Sequence, residues 1–466
     1  MSFSFGFRLL YKTLEIIGFV NRVQLRYSWL NKLKTLRHMM FHIFTAAGMI
    51  SHFISTTCVA RRYMPEFYQR LFEDITSCVY YFDCMFYLLN YDRIHALIKF
   101  MDTSFCYAND KVVTTCVRRM RLLFIVVLIR NTITMIAVVA ETQKPVSQEE
   151  IDVLAELYQD KYPERRVPVR YWLPFIDESE SWYFEAILTF AFYQFTMVAV
   201  MANVCICSIP MIVIVINAQY TILAEYVEKI GHEHRDEEGR RIRYTNVITN
   251  EIVYVEEEGR NQGSRRYEEK PAADIVKDNE IIYVRELSEQ NEPRKQIQVK
   301  GDMAEEEYQQ DYFRQVLQFH QMMMDFQGEL LDMYHPFLTA KVLLYNLTTA
   351  LCIYQVTSNP TSFSESRKFK VICELIGVAQ GFYLICFCSE RLDDCHGKLR
   401  QAVARADWGR SSPKIRKALQ VLLTMAQTPN HMEILGGVLV ISNAYYQGMV
   451  QFAYSFVNFM KLKMSA

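Results

Sequence analysis

The chain closes with residues 399–466, LRQAVARADWGRSSPKIRKALQVLLTMAQTPNHMEILGGVLVISNAYYQGMVQFAYSFVNFMKLKMSA, and this stretch decides the fold. It reads as a basic helical segment, a break at Pro429, a turn at Gly436 and Gly437, and one apolar helix. That helix stops almost at the last residue. A final spanning helix without a tail is suited to line something central, so we expect the end of the chain to contribute to a central feature.

Composition points to a membrane protein once the sequence is divided into segments. The net charge of −1 and the ordinary average hydrophobicity hide several apolar runs diluted by one long charged stretch. Most of the 12 cysteines fall inside the apolar runs, where they act as small apolar side chains. No pair of C-x-x-C motifs, signal peptide, phosphate loop or catalytic dyad is found, so we expect no metal, no cofactor and no enzymatic activity.

Seven stretches have the length of about 20 residues needed to cross a bilayer. The predicted fold is therefore an all-α membrane protein with seven transmembrane helices. The fourth and fifth stretches are too long to lie wholly in lipid. The predicted spans are 38–59, 70–90, 121–141, 184–217, 327–356, 368–390 and 436–460.

Charge in the connections predicts the orientation. Lys and Arg are abundant in 1–37, in 92–121 and in 391–417, whereas 141–183 holds twice as many acids as bases. By the positive-inside rule the N-terminus is cytosolic and, after seven crossings, the C-terminus is extracellular. This orientation is opposite to that of rhodopsin-type receptors.

The span pattern also divides the chain into regions. We expect a long charged cytosolic insertion between helices 4 and 5, with a weak repeat, NEIVYVEEE at 250–258 and NEIIYVREL at 279–287. The repeat favours either a small β-element or disorder with nascent strands. His232 and His234 flank Glu233 there and are interpreted as part of a solvated charge run. The predicted regions are 1–37, a cytosolic N-terminus; 38–227, helices 1–4 with the outer loop 141–183; 228–312, the insertion; 313–435, helices 5–6 with a cytosolic anchor region; and 436–466, a pore-lining helix 7.

Two charges lie near the middle of predicted spans. Asp83 lies in the second span and Arg130 in the third, each about a dozen residues from the outer surface. Charges inside a membrane are costly, and they usually pair or face water. The sequence therefore predicts a buried ion pair between Asp83 and Arg130, with direct contact to a ligand as the alternative.

Several motifs resemble insect odorant receptors. The C-terminal signature comprises Trp408 before Ser412-Pro413, the basic helix from Lys414, the Gln-x-Pro break, the Gly-Gly turn and the AYSF motif at 453–456. The outer loop, with its Trp, Pro-Phe and acidic run, resembles the second extracellular loop of the family, and 379–394 resembles the odorant co-receptor. The resemblance is strongest over 368–466 and weak before residue 120.

The resemblance implies a tetrameric, ligand-gated, non-selective cation channel in the cell membrane of sensory neuron dendrites. It also implies an apolar pocket for small volatile ligands among helices 2 to 6, and it implies that His320 and Trp408 belong to the anchor region where subunits meet. Any single aromatic or Met at helical spacing is more often explained by ordinary packing. The candidate pocket residues in the outer halves of these helices are Val79, Phe82, Met135, Ile136, Tyr193, Met197, Tyr345, Thr349, Ile376, Gln380 and Tyr383.

The family pattern places Val457 and Lys461 on the pore face near the outer gate, with Tyr454 and Asn458 beside them. The co-receptor has aliphatic residues where this chain has Val457 and Lys461. Four Lys461 ammonium groups around one narrow path would repel cations strongly. We therefore expect a heteromer with odorant co-receptor subunits, with membrane lipid as surroundings and no nucleic acid. In the alternative, Lys461 reaches the outer surface along its apolar stem.

Three other functions are open at this stage. A co-receptor or self-sufficient homotetramer is favoured by the long insertion and opposed by Lys461. A gustatory receptor is opposed by Trp408 and the AYSF motif. A membrane acyl transferase would need a His or acid dyad at a membrane face, and none stands out.

Overall fold

The computed structural model describes residues 2–21, 27–144, 147–173, 176–236, 238–255, 305–357 and 364–465. Within these ranges the chain is a helical bundle with two small hairpins, which confirms the expected all-α class. A short 3-10 turn, Ala60–Arg62, joins the second and third helices. The elements are α1 Phe5–Ile17, α2 Ser28–Cys58, α3 Met64–Leu89, α4 Tyr91–Ser104, α5 Asp110–Gln143, α6 Gln148–Tyr158, α7 Ser181–Glu228, β1 Ile242–Asn246, β2 Glu251–Tyr254, α8 Glu305–Thr357, α9 Glu365–Arg405, α10 Pro413–Gln427, β3 Glu433–Ile434, β4 Leu439–Val440 and α11 Asn443–Ser465.

Five described segments are long and apolar enough to cross a membrane, and they contain α2, α5, α7, α8 and α9. The other two predicted spans correspond to α3, which carries four acidic residues, and to α11. Helix α7 has 48 residues and α8 has 53, so each is longer than about 70 Å. A bilayer core is about 30 Å thick, so both helices extend well beyond it, as the sequence indicates.

Helix α7 lies at the centre of the bundle, where it contacts α9, α5, α3, α8 and α1. Its middle is buried on nearly all sides, which explains why it is apolar all around rather than amphipathic. Helix α1 in the predicted cytosolic N-terminus is amphipathic instead. It buries Phe7, Leu10 and Leu14 and packs on α7 and α5.

The charged insertion contains an ordered hairpin. Strand β2 includes part of the first repeat copy, but it pairs antiparallel with β1 and not with the second copy, which lies outside the described residues. Val247 in the turn is fully buried. The Tyr308 hydroxyl of α8 accepts a hydrogen bond from Tyr244 N at 3.0 Å and shares another with His234 Nδ1 at 2.6 Å. His234 is therefore a buried anchor of the hairpin, which corrects its interpretation as part of a solvated charge run.

The last helix begins later than predicted. Residues 433–440 form the β3–β4 hairpin, whose turn contains Gly436 and Gly437 at φ +67° and +86°. Glycine adopts such left-handed conformations without the steric penalty of other residues, and helices do not accommodate them. Helix α11 therefore starts at Asn443 rather than at 436, and it packs on α8 and α9.

Candidate ligand cavity

A cavity of about 130 Å³ lies between α2, α3, α5, α7 and α9. Val169, from the segment that follows α6, also lines it. One side of the cavity is apolar, formed by Phe72, Phe195, Val198 and Val378. Most of the exposed lining surface is apolar, which suits the burial of a small organic molecule.

The lining also carries charged side chains, two of them at consecutive positions of α3. Glu73 and Asp74 are buried there and line the cavity together with His52 of α2 and Glu374 of α9. His52 Nδ1 lies 2.5 Å from Asp74 Oδ1, and His52 Nε2 lies 3.3 Å from Glu73 Oε2. The cavity is therefore more polar than the sequence suggests.

These residues belong to a larger set of buried ion pairs, which we call the loop-end network. It lies where the α2–α3, α5–α7 and α8–α9 connections meet. Lys370 Nζ, for example, lies 2.7 Å from Glu73 Oε1 and 3.0 Å from Glu141 Oε2. Buried ions of this kind are retained only when they are paired. The network comprises six carboxylates, Glu66, Glu73, Asp74, Glu141, Glu150 and Glu374, and five basic side chains, His52, Arg70, Arg166, Arg367 and Lys370.

The network also fastens the 141–183 segment over the cavity. Arg166 pairs with Glu150, and Arg70 Nη1 donates to the carbonyl of Pro168 at 3.1 Å. Trp172 N donates to the carbonyl of Ser51 on α2 at 3.1 Å. The segment is thus tied to α2 and α3, and Val169 forms part of the cavity lining.

At the other end of the cavity lies Arg130, which packs against Gly377. A Cβ atom at Gly377 would collide with Arg130 Nη1, so the glycine makes room for the guanidinium. The structure corrects the predicted ion pair, because Asp83 pairs with Lys341 instead. Lys341 Nζ donates to Asp83 Oδ2 at 2.8 Å and to the carbonyl of Cys205 at 2.7 Å. Among the described residues, Arg130 has no carboxylate within ion-pair distance.

The sequence matches the model of a known family. The profile of the 7tm Odorant receptor family matches residues 63–454, most of the chain. The chain belongs to the odorant receptor family. It is a multi-pass membrane receptor, and the family consists of receptors rather than enzymes.

Solved structures agree on the fold. The structure of the insect olfactory receptor OR5 from Machilis hrabei is similar with a TM-score of 0.63 at 11% identity, covering 97% of each chain. The same receptor in complex with eugenol gives 0.64 at 11% identity, covering 99% of each chain. At this identity the likeness shows the seven-transmembrane fold alone. Curated protein sequences gave no significant match.

The receptor's predicted pocket residues do not converge on the cavity. Met135 lines it, as does Arg130. Tyr345 and Thr349 are buried, but Phe82 and Ile136 point outward with 61% and 59% of their surface exposed. Ile376 and Tyr383 are also exposed, whereas Val79, Tyr193, Met197 and Gln380 are half-buried and lie outside the lining.

In the last helix of the receptor, Val457 is fully buried together with Ala453. Both residues lie one turn apart on the face of α11 that packs against the rest of the chain. This corrects the expectation that Val457 faces a pore. Tyr454 and Asn458 are exposed, and the side chain of Lys461 lies outside the described part of the structure.

The two predicted anchor residues lie in packed regions within one chain. His320 of α8 is buried against the rings of Tyr220, 6.4 Å between centroids, and lies near His396. It is therefore not a helix-surface histidine. Trp408 Nε1 donates to the carbonyl of Val403 at 2.8 Å, which closes the turn after α9.

Sequence reasoning missed His52, Asp74 and Lys341. Their charge inside predicted spans was a usable signal, because charges at membrane depth mark functional or paired positions. Within the described residues, no group of three or more His, Cys, Asp or Glu is arranged to hold a metal ion.

Proposed function

We propose that this receptor is the ligand-binding subunit of an odorant-gated, non-selective cation channel that includes odorant co-receptor subunits. The cavity between five helices of the bundle is the observation that carries the proposal. Val169 of the 141–183 segment contributes to its lining, and the lining is mostly apolar, which suits the binding of a small organic ligand.

A chain of packed side chains connects the cavity to α11. Val378 of α9 lines the cavity, and Phe382, one turn further on, packs against Tyr446 of α11 with 5.4 Å between ring centroids. Tyr345 of α8 stacks on the same Phe382 at 6.0 Å. A ligand that shifts α9 would therefore shift the contact that positions α11.

The outward face of α11 supports assembly with other subunits. Phe452, Tyr454, Phe459 and Leu462 are each about 60–70% exposed in the single chain. An exposed aromatic face on one helix suits contact with lipid or with neighbouring subunits. Co-receptor neighbours are proposed from the resemblance of the sequence to the family, because the burial of Val457 removes the argument that placed Lys461, one turn further on, at the pore.

We also propose the membrane orientation and regions expected from the sequence, with the N-terminus cytosolic in the dendritic membrane of a sensory neuron. The Lys/Arg bias of the alternating connections supports this. Antibody accessibility of epitope tags in intact cells would test it. A tag placed within 142–180 should be stained without permeabilisation, and an N-terminal tag should not.

The decisive test is ligand-evoked current over an odorant panel, with and without a co-receptor. Ala199 lines the cavity, and Ala199→Trp should fill it and abolish the response while leaving surface expression intact. Ala46→Trp is the matched control, because Ala46 is exposed on the outside of α2. An unchanged response in Ala199→Trp would exclude the cavity as the ligand site, and robust current from this chain alone would exclude the heteromer.

A further inference from the structure

Asp74 lines the cavity with a buried hydrogen-bond acceptor that has no partner among the described residues. Its side chain is 7% exposed, and Oδ1 is held by His52 at 2.5 Å. Asp74 Oδ2 is buried and has no hydrogen-bond partner among the described residues, and neither has the Thr76 hydroxyl on the same wall. Leaving a buried carboxylate oxygen unsatisfied is unfavourable, so a ligand that donates a hydrogen bond to Asp74 Oδ2 would be stabilised here.

The charges of the loop-end network also favour a cationic ligand group near Asp74. Its six carboxylates face five basic side chains, and this count already treats His52 as charged. Protonation of His52 agrees with its geometry, because both ring nitrogens lie against carboxylate oxygens. Carboxylates therefore outnumber basic side chains by one in the described network, and Asp74 is a member whose second oxygen has no partner at the cavity.

The far end of the cavity has the opposite character. Arg130 interacts with the hydroxyl of Tyr80, and its Nε is buried without a partner. Tyr80 lies six residues after Asp74 on α3, which corresponds to about 9 Å along the helix. The cavity thus offers an acceptor at one end and donors at the other.

We infer that the cavity recognises a small primary amine in its protonated form, with the ammonium group donating to Asp74. An oxygen acceptor elsewhere on the ligand would meet Arg130, which lines the same cavity. The cavity volume is close to that of an engineered cavity of about 150 Å³ that accepts benzene, so the ligand is about the size of one substituted ring. This inference rests on the proposed function, because it assigns the ligand class of the same cavity.

The test compares two ligands of the same shape on full-length receptor in lipid nanodiscs by equilibrium dialysis at neutral pH. The probes are 4-(2-aminoethyl)phenol and 4-propylphenol, in which a methyl group replaces the ammonium. Empty nanodiscs correct for partition into lipid. A charge-assisted hydrogen bond predicts that the amine binds at least about tenfold more tightly.

Asp74→Asn should weaken binding of the amine by about 10- to 100-fold and change binding of 4-propylphenol by less than about threefold. The matched control is Asp152→Asn, an exposed carboxylate on α6, which should change neither. Binding of 2-phenylethylamine, which lacks the oxygen, should be weaker than that of the phenolic amine in the wild-type receptor.

The outcomes separate the two proposals. If wild-type receptor binds 4-propylphenol as tightly as the amine, the amine inference fails and the cavity stands as a ligand site. This comparison needs no variant, so misfolding of Asp74→Asn does not obscure it. If neither probe binds and Ala199→Trp leaves the odorant response unchanged, the cavity itself is excluded and the proposed function fails with it.

Discussion

Replacing Lys341 by Met tests the Asp83–Lys341 ion pair, which replaces the Asp83–Arg130 pair predicted from the sequence. The Lys341 and Asp83 side chains are 3% and 9% exposed, and they meet between α8 and α3. Lys341 also donates to a backbone carbonyl of α7, so it joins three helices. Met fills a similar volume but leaves the Asp83 carboxylate buried without its cation.

Removing one partner of a buried ion pair is destabilising by about 3–5 kcal/mol, because the remaining charge is uncompensated. Replacing both partners by uncharged residues removes that penalty. The double variant Asp83→Asn/Lys341→Met should therefore be more stable than Lys341→Met alone. The expected coupling free energy is about 2 kcal/mol.

The measurement is the free energy of unfolding from SDS titration in mixed micelles, for a double-mutant cycle. A second cycle combines Asp83→Asn with Arg130→Met, the partner that the sequence suggested. Lys368→Met serves as the control, because its ion pair with Glu365 is at the surface and should contribute less than about 1 kcal/mol.

A larger coupling between Asp83 and Arg130 than between Asp83 and Lys341 would refute the pairing seen here. Equal and additive losses in both cycles would refute the claim that a specific buried pair holds α3 to α8. Only a large coupling confined to Asp83 and Lys341 agrees with the structure.

Three further predictions concern the connections. Burial raises the pKa of Glu178 to about 7, against the opposing effect of Arg170. The contribution of Glu178 to stability is therefore full below its ordinary pKa and falls as pH rises towards and through 7. The thermal-unfolding midpoint should decrease from pH 6 to pH 8, and Glu178→Gln should flatten this decrease. Tyr308→Phe removes the hydroxyl that hydrogen-bonds with His234 and with Tyr244 of β1, and it should destabilise the hairpin by about 1–2 kcal/mol. The expected result is faster tryptic cleavage in β1 with an unchanged ligand response. Gly437→Val forces a branched residue to φ +86° and should lower surface expression, whereas Gly448→Val, in open space on α11, should not.

The sequence was sufficient for the fold because hydrophobic length is a local property. Each of the seven predicted spans overlaps a long helix, including α3, which is too charged to meet a simple apolar criterion. Boundaries failed where local backbone geometry decides them. The span expected from 436 begins at Asn443, because two glycines at positive φ form a hairpin turn first.

The site was harder to predict because it depends on helical phase and on distant partners. Aromatic residues occur on all faces of these helices, so the side chain of Phe82 was assigned to a pocket although it points outward. The charged wall depends on pairs far apart in sequence, such as Lys370 with Glu73. Local spacing did carry part of the signal, since Glu66 and Arg70 stand four residues apart on one face of α3.

The ion pairs of the loop-end network connect the cavity wall to the 141–183 segment and to α9. Asp74 and Glu73 form the cavity wall, and Lys370 joins Glu73 to Glu141 at the end of α5. Because Lys370 lies on α9, a charge added at the cavity wall changes the balance of forces on that helix as well as on the 141–183 segment. Helix α9 in turn packs on α11 through Phe382. A cationic ligand would thus act on α11 through an existing set of contacts, whereas a neutral ligand would act on it through packing alone.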